Sequence, residues 1–213
     1  KSKKVKITLG LFYLIVVSSF LYFFLSKFTF EELTSYEFIK NNRDYFFEIK
    51  QANLFLTSLV FLIFTIVWVV MAGFGLPIAL LAGFIFGKFL GIFLLTIGMS
   101  IGATILYILG NYFFKEIIKE KFLNKFKNLE IKFKKSEFIY LFIYRVIGGI
   151  PFALSNVLPC IFNVKVINFF LATLIGITPQ LFLIVSIGSG LEKVIEQNLE
   201  APRIKDLIYS PDV

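Results

Sequence analysis

The chain has 213 residues, of which 58% are apolar, 17% are charged and 29 are Phe, against about 45–50% apolar and about 25% charged in soluble domains. Twenty-two Lys and Arg against 14 Asp and Glu give a net charge of +8, with no His and a single Cys, Cys160. A surface so poor in charge must face lipid, and the inventory excludes a disulfide scaffold, a His-ligated metal site, a Ser-His-Asp or Cys-His enzyme and a disordered chain.

The elements are marked by where charge is missing. Lys1, Lys3, Lys4 and Lys6 precede the run ITLGLFYLIVVSSFLYFFLS over 7–26, which has the ~20 residues needed to cross ~30 Å at ~1.5 Å per residue. The run is longer than the apolar core of a signal peptide and no small-residue cleavage site follows, so a spanning helix is expected. The chain opens with Lys, which reads as loss of at least the initiator Met. Residues 27–53 carry four basic and five acidic residues and read as an outside-facing loop, because Lys and Arg concentrate on the cytoplasmic side.

Residues 54–114 contain one charge, Lys88. Entry from outside and exit inside requires an odd number of crossings, which three helices would satisfy, as would one helix preceded by a hairpin that dips in and returns. Gly73, Gly75 and Pro77 interrupt the run, and Lys88 returns a charge 11 residues after Pro77. Eleven helical residues cover about 17 Å, too little to cross. A re-entrant hairpin over 54–88 and a span over 89–114 are therefore expected.

Residues 115–136 hold eight Lys against three Glu and read as cytoplasmic. Phe114, Ile118, Phe122, Phe126, Leu129 and Phe133 recur every three or four positions. That stripe predicts an amphipathic helix on the anionic leaflet, linking the two halves and held by ~1 kcal/mol per nearby Lys. Because this basic charge adjoins membrane spans, nucleic acid is not the expected partner. Residues 138–191 then repeat the earlier design with two charges, Arg145 and Lys165, and breaks at Gly148, Gly149, Pro151 and Pro159. They predict a hairpin over 137–165, a span over 166–191 and a polar tail over 192–213.

The halves align: LPIAL (76–80) with IPFAL (150–154), Lys88 with Lys165, Gly98 with Gly176 and Gly110 with Gly188. The expected fold is an all-α integral membrane protein, an inverted repeat of re-entrant helical hairpin plus transmembrane helix, preceded by an N-terminal transmembrane helix. Interrupted apolar segments at matching places in two halves point to a midplane substrate site.

The segments LLAGFIFGKFLGIFLLTIGMSIGATILYILG (80–110) and IYRVIGGIPFALSNVLPCIFNVKVINFFLATLIGITPQLFLIVSIGSGL (143–191) resemble the SNARE-associated Golgi protein superfamily, the DedA-like or VTT-domain proteins. Arg145, Pro151, Asn156, Pro159, Phe169 or Phe170, Thr173, Gly176, Pro179 and Gly188 carry the resemblance, which covers roughly 54–191. It implies two opposed re-entrant hairpins and a function among phospholipid scramblases, carriers of polyprenyl phosphate and proposed proton-coupled transporters. Many members end in a further helix, so the polar end at Val213 reads as a truncation. Some relatives have an acidic residue in the first hairpin, where this chain has GFGLPIAL.

Arg145 is the first candidate for substrate binding. At the bilayer centre it would cost ~2.5–3.5 kcal/mol on insertion scales, and its planar donors suit a phosphate beside the helix N-termini that hairpin breaks expose. The alternatives are that it snorkels to the interface or caps hairpin carbonyls. Lys88 and Lys165 read first as interfacial anchors and second as headgroup contacts. Asn156 reads equally as a turn-satisfying amide and as a ligand contact.

Pro77, Pro151, Pro159 and Pro179, with Gly73, Gly75, Gly148, Gly149 and Gly176, read as hairpin architecture. Gly83, Gly87, Gly91, Gly98 and Gly102 have the spacing that lets helices approach, and Cys160 reads as a small buried hydrophobe. The expected activity is movement of a phosphate-bearing lipid, an anionic phospholipid or polyprenyl phosphate, between leaflets, without metal, cofactor or enzymatic step. Proton-coupled transport of a small solute is the alternative, disfavoured because none of the 14 Asp and Glu lies within 54–114 or 138–191. A non-transporting role in membrane homeostasis leaves no mark in the sequence. The Phe-, Ile- and Lys-rich composition points to a bacterial inner membrane, and the charge bias to a cytoplasmic N-terminus.

Overall fold

The computed structural model describes residues 3–118, 131 and 133–196, and every regular element among them is helical. Helix α1 (Lys3–Lys27) buries Gly10 and Val17 and presents most of its apolar surface outward, as a helix solvated by lipid does. It is held by aromatic contacts: Phe20 and Phe24 meet the ring of Trp68 edge-on at 6.1 and 4.8 Å. The hydroxyl of Tyr13 donates to the carbonyl of Val70.

Residues 27–53, expected as a loop, fold into three short helices, α2 (Phe30–Leu33), α3 (Tyr36–Asn41) and α4 (Arg43–Ala52). The reason lies in caps and in tertiary burial, neither of which a charge count registers. Thr29 and Glu32 form a reciprocal capping box, with bonds of 2.8 and 3.2 Å, and Ser35 Oγ accepts from the amide of Phe38 at 3.1 Å. Ile39 is fully buried, and Phe46 and Phe47 meet Phe84 edge-on. The chain then turns through 118° into α5 (Leu54–Val70), which Asn53 caps by accepting from the Leu56 amide at 2.9 Å.

The turn at 71–74 closes with Ala72 at φ 59 and with Trp68 Nε1 donating to the carbonyl of Phe74 at 2.9 Å. Helix α6 (Gly75–Ile118) has Pro77 in its first turn, where the missing amide costs no helical bond. Gly87 interrupts α6 with φ 71 and ψ −178, splitting it into arms over 75–86 and 88–118. A Cβ there would meet nothing within 4 Å, so it is the left-handed backbone that calls for glycine at this position.

The second half begins with α7 (Glu137–Ile147), which ends at Gly148 and Gly149, at φ 65 and 83. Pro151 then caps α8 (Phe152–Val157), and a 3-10 turn containing Pro159 (Leu158–Ile161) leads to α9 (Val166–Gly176) and α10 (Thr178–Glu196). The expected continuous span over 166–191 is bent by 42° between α9 and α10. Pro179 explains the bend, since it cannot donate to the carbonyl four residues back and its ring crowds that position.

Among the described residues two helices, Lys3–Lys27 and Gly75–Phe114, the latter broken at Gly87, are long and apolar enough to cross a membrane, or up to four elements if each bent pair is one span. The chain is thus an all-α membrane protein with broken helices. The amphipathic segment expected at 115–136 falls mostly, and the tail beyond 196 wholly, outside the described residues.

The two halves pack by the same rule. Within the first, Gly98 would place a Cβ 2.9 Å from Thr65 Cβ, with Leu62 beside it; within the second, Gly176 would place one 2.6 Å from Arg145 Cβ, with Phe142 beside it. Between the halves, Gly188 of α10 lies against the Leu80 backbone of the first hairpin, and Gly110 of α6 lies against Val157 and Cys160 of the second. Each hairpin therefore rests on a glycine of its own half and its returning arm on a glycine of the other.

Candidate functional site

Arg145 occupies the last turn of α7 and is 4% exposed. Two elements converge on its guanidinium. Nε donates to Thr173 Oγ1 on α9 at 3.1 Å, Nη1 to Ser155 Oγ at 2.6 Å and Nη2 to Asn156 Oδ1 at 2.7 Å, the last two on α8. Ser155 keeps a lone pair for this bond because its own proton goes to the carbonyl of Phe152. The rings of Tyr144, Phe152 and Phe169 surround the cation at 5.9, 5.4 and 5.1 Å, close enough for their negative faces to offset part of its desolvation.

These partners are all neutral. An arginine keeps its charge in a protein and offers five N–H donors; three are used here, and no carboxylate bonds the group among the described residues. A cavity of about 100 Å³ borders it, lined by Tyr144, Arg145, Gly148, Gly149, Phe152, Ser155 and Gln180 among others. The amide nitrogen of Asn156, fully buried, has no partner among the described residues.

Local sequence explains the placement. Gly148 and Gly149 take left-handed conformations that turn the chain from α7 into α8, and Ser155 and Asn156 come to lie beside Arg145 in the last turn of α7. Gln180 Nε2 donates to the carbonyls of Arg145 and Val146 at 3.1 and 3.0 Å, satisfying two orphan acceptors at the end of α7. Gly176 allows α9 close enough for Thr173 to reach Nε. Phe169 stacks on Tyr107 of α6 at 4.6 Å, and the Tyr107 hydroxyl donates to the carbonyl of Val164 at 2.7 Å, joining the site to the first half.

Of the four predicted headgroup residues, the structure brings Arg145 and Asn156 together by a hydrogen bond, with Arg145 but not Asn156 lining the cavity, and sets Lys88 and Lys165 apart from it. Lys165 caps α9, its backbone amide donating to Glu137 Oε2 at 3.1 Å. Lys88 stands over the ring of Phe182 at 4.7 Å. Gly148 and Gly149 line the cavity. Gly73 packs beneath Trp68 and Gly75 near Met99, while Pro77, Pro151, Pro159 and Pro179 sit at helix starts or in the 3-10 turn. Sequence reasoning named neither Ser155 nor Gln180 and gave Thr173 no contact. Their one signal was polarity within apolar runs, and only the tertiary fold shows what they touch.

A helical membrane protein of two halves, each built on broken helices, with a buried cation among neutral donors and acceptors, is the class this architecture defines. The model of the VTT domain family matches residues 73–190, more than half of the chain, and the chain belongs to that family, the DedA and SNARE-associated Golgi group. It is 26% identical over 136 residues to the Transmembrane protein 41 homolog of Caenorhabditis elegans, covering 61% of this chain and 55% of the relative. It is 30% identical over 115 residues to the uncharacterized protein YqeD of Bacillus subtilis, covering 53% of this chain and 55% of the relative. The chain thus spans about half the length of the curated relatives it matches. No solved structure matches it.

Proposed function

We propose that the protein moves phosphate-bearing lipids between leaflets, the headgroup meeting Arg145 while the tails stay in hydrocarbon. The observation that supports this reading is a guanidinium, 4% exposed, whose hydrogen-bond partners are three neutral oxygens, bordered by a cavity of about 100 Å³. Burying an ion without a counter-charge costs several kcal/mol even after relaxation, and a phosphate would supply both the charge and acceptors for the two remaining N–H groups. The cavity has room for a few waters or one phosphate group, not for a whole lipid. The substrate class is an anionic phospholipid or a polyprenyl phosphate, and the membrane a bacterial inner membrane with the N-terminus cytoplasmic.

The test is purified protein in vesicles carrying a headgroup-labelled anionic lipid in both leaflets, followed with a membrane-impermeant quencher. Exchange drives quenching past the outer-leaflet fraction, and Arg145→Gln slows it about 10- to 100-fold, the equivalent of ~1.5–3 kcal/mol for a hydrogen bond to a charged group. A plateau at the outer-leaflet fraction with folded parent protein would overturn the reading.

A further inference from the structure

A second cavity, of about 800 Å³, runs between the long arm of α6 and the bent pair α9–α10. Phe89, Phe93 and Ile97 form one wall and Ile175, Pro179 and Phe182 the other. It shares no lining residue with the Arg145 cavity: the two lie on different faces of the bend, which gives Ile177 and Gln180 to one and Thr178, Pro179 and Phe182 to the other. Phe89 is 84% exposed and Phe93 61%, so the groove opens sideways from helices long and apolar enough to span.

In a bilayer such a groove fills with hydrocarbon, but one apolar phase gains nothing by replacing another. Selectivity must come from charge at the groove's edge. Lys88 supplies it. Its Nζ lies 4.7 Å from the centroid of Phe182, a wall residue, and it adjoins Phe89, another. A ring face is a weak, neutral partner for an ammonium, and no carboxylate pairs with Lys88 among the described residues. Gly87 fixes this placement, since its left-handed backbone ends one arm of α6 and starts the next at Lys88.

We propose that this groove holds one hydrocarbon chain of an anionic phospholipid whose phosphate is bound by Lys88, a lipid site separate from the Arg145 cavity. Its volume lies in the range of about 300–1,000 Å³ typical of ligand sites. The site stands on its own geometry and does not require that Arg145 carry a headgroup.

The test uses the full chain in vesicles of equal parts phosphatidylcholine and phosphatidylglycerol, with one lipid or the other carrying a photoactivatable group in its acyl chain. Phosphatidylglycerol is expected to label peptides containing 89–97 and 175–182 in preference to the exposed face of α1. Lys88→Gln should cut that labelling about fivefold, the worth of one lysine at an anionic surface, and cut phosphatidylcholine labelling less, because its choline offsets the charge of the phosphate it also carries. Ile175→Trp, which fills the groove, should cut both, with unchanged thermal unfolding showing that the variant folds. Equal labelling by the two lipids, indifference to Lys88→Gln, or competition by excess glycerol phosphate would overturn the proposal. Arg145→Gln, measured for exchange and for labelling in the same vesicles, separates the sites: it should slow exchange and leave groove labelling intact.

Discussion

Replacing Asn156 by Asp would give the Arg145 guanidinium the counter-charge it lacks, with almost no change of shape. Asn156 Oδ1 already accepts from Nη2 at 2.7 Å, so a carboxylate oxygen would inherit the bond. Two unit charges ~4 Å apart attract by ~4 kcal/mol at an effective dielectric of ~20. The second carboxylate oxygen takes the place of the unpartnered amide nitrogen of Asn156, so one buried orphan is exchanged for another and nothing is gained there. Against the attraction stands a carboxylate desolvation of several kcal/mol, so stability should stay close to the parent's. Function should not. A lipid phosphate would have to displace an internal carboxylate, and even ~2 kcal/mol of that competition slows exchange about 30-fold.

Asn156→Ala provides the contrast. It leaves Nη2 without its acceptor and should destabilise the protein by ~1.5–3 kcal/mol, while offering no competing charge. Thermal unfolding in detergent and quencher-monitored lipid exchange, measured on both variants, separate the effects. Parental exchange by a folded Asn156→Asp protein would refute the idea that the cation is held for an anionic ligand.

Three further outcomes are expected. Gly188→Leu should destabilise the contact between α10 and the first hairpin by ~1–3 kcal/mol, since the side chain would enter the Leu80 backbone; an unchanged unfolding temperature would deny the close approach. Gln180→Ala should orphan the carbonyls of Arg145 and Val146, costing ~1 kcal/mol of stability and slowing exchange severalfold, whereas unaltered exchange would show that the end of α7 is held without it. With the buried Cys160 left in place, Cys substituted at Lys88 should label from outside and at Lys165 from inside. Labelling of both from outside would mean continuous crossings and remove the opposed hairpins.

The amino-acid sequence by itself determined the solvent and the punctuation of this protein. Blocks of 61 and 54 residues holding one and two charges leave lipid as the medium, because charge burial is costly wherever it occurs. Gly148, Gly149, Pro151 and Pro179 stand where the helices break or bend, since their effects on φ and on the amide are local. The same locality made Arg145 stand out, as a charge in a run that could not solvate it.

Tertiary structure decided everything that depends on distance across the chain. Residues 27–53 became helical because Ile39, Phe46 and Phe47 found a core to cover, a gain invisible to local charge. Lys88, Lys165 and Arg145 are alike as cations, yet one meets Phe182, one caps α9 and one is enclosed by Ser155, Asn156 and Thr173. Such enclosure comes from α7 meeting α9 at Gly176 and from α8 reaching Arg145 through Ser155 and Asn156. No periodicity in a single segment encodes which three helices will meet, because helix packing is fixed by the fit of whole faces rather than by any one residue's preference.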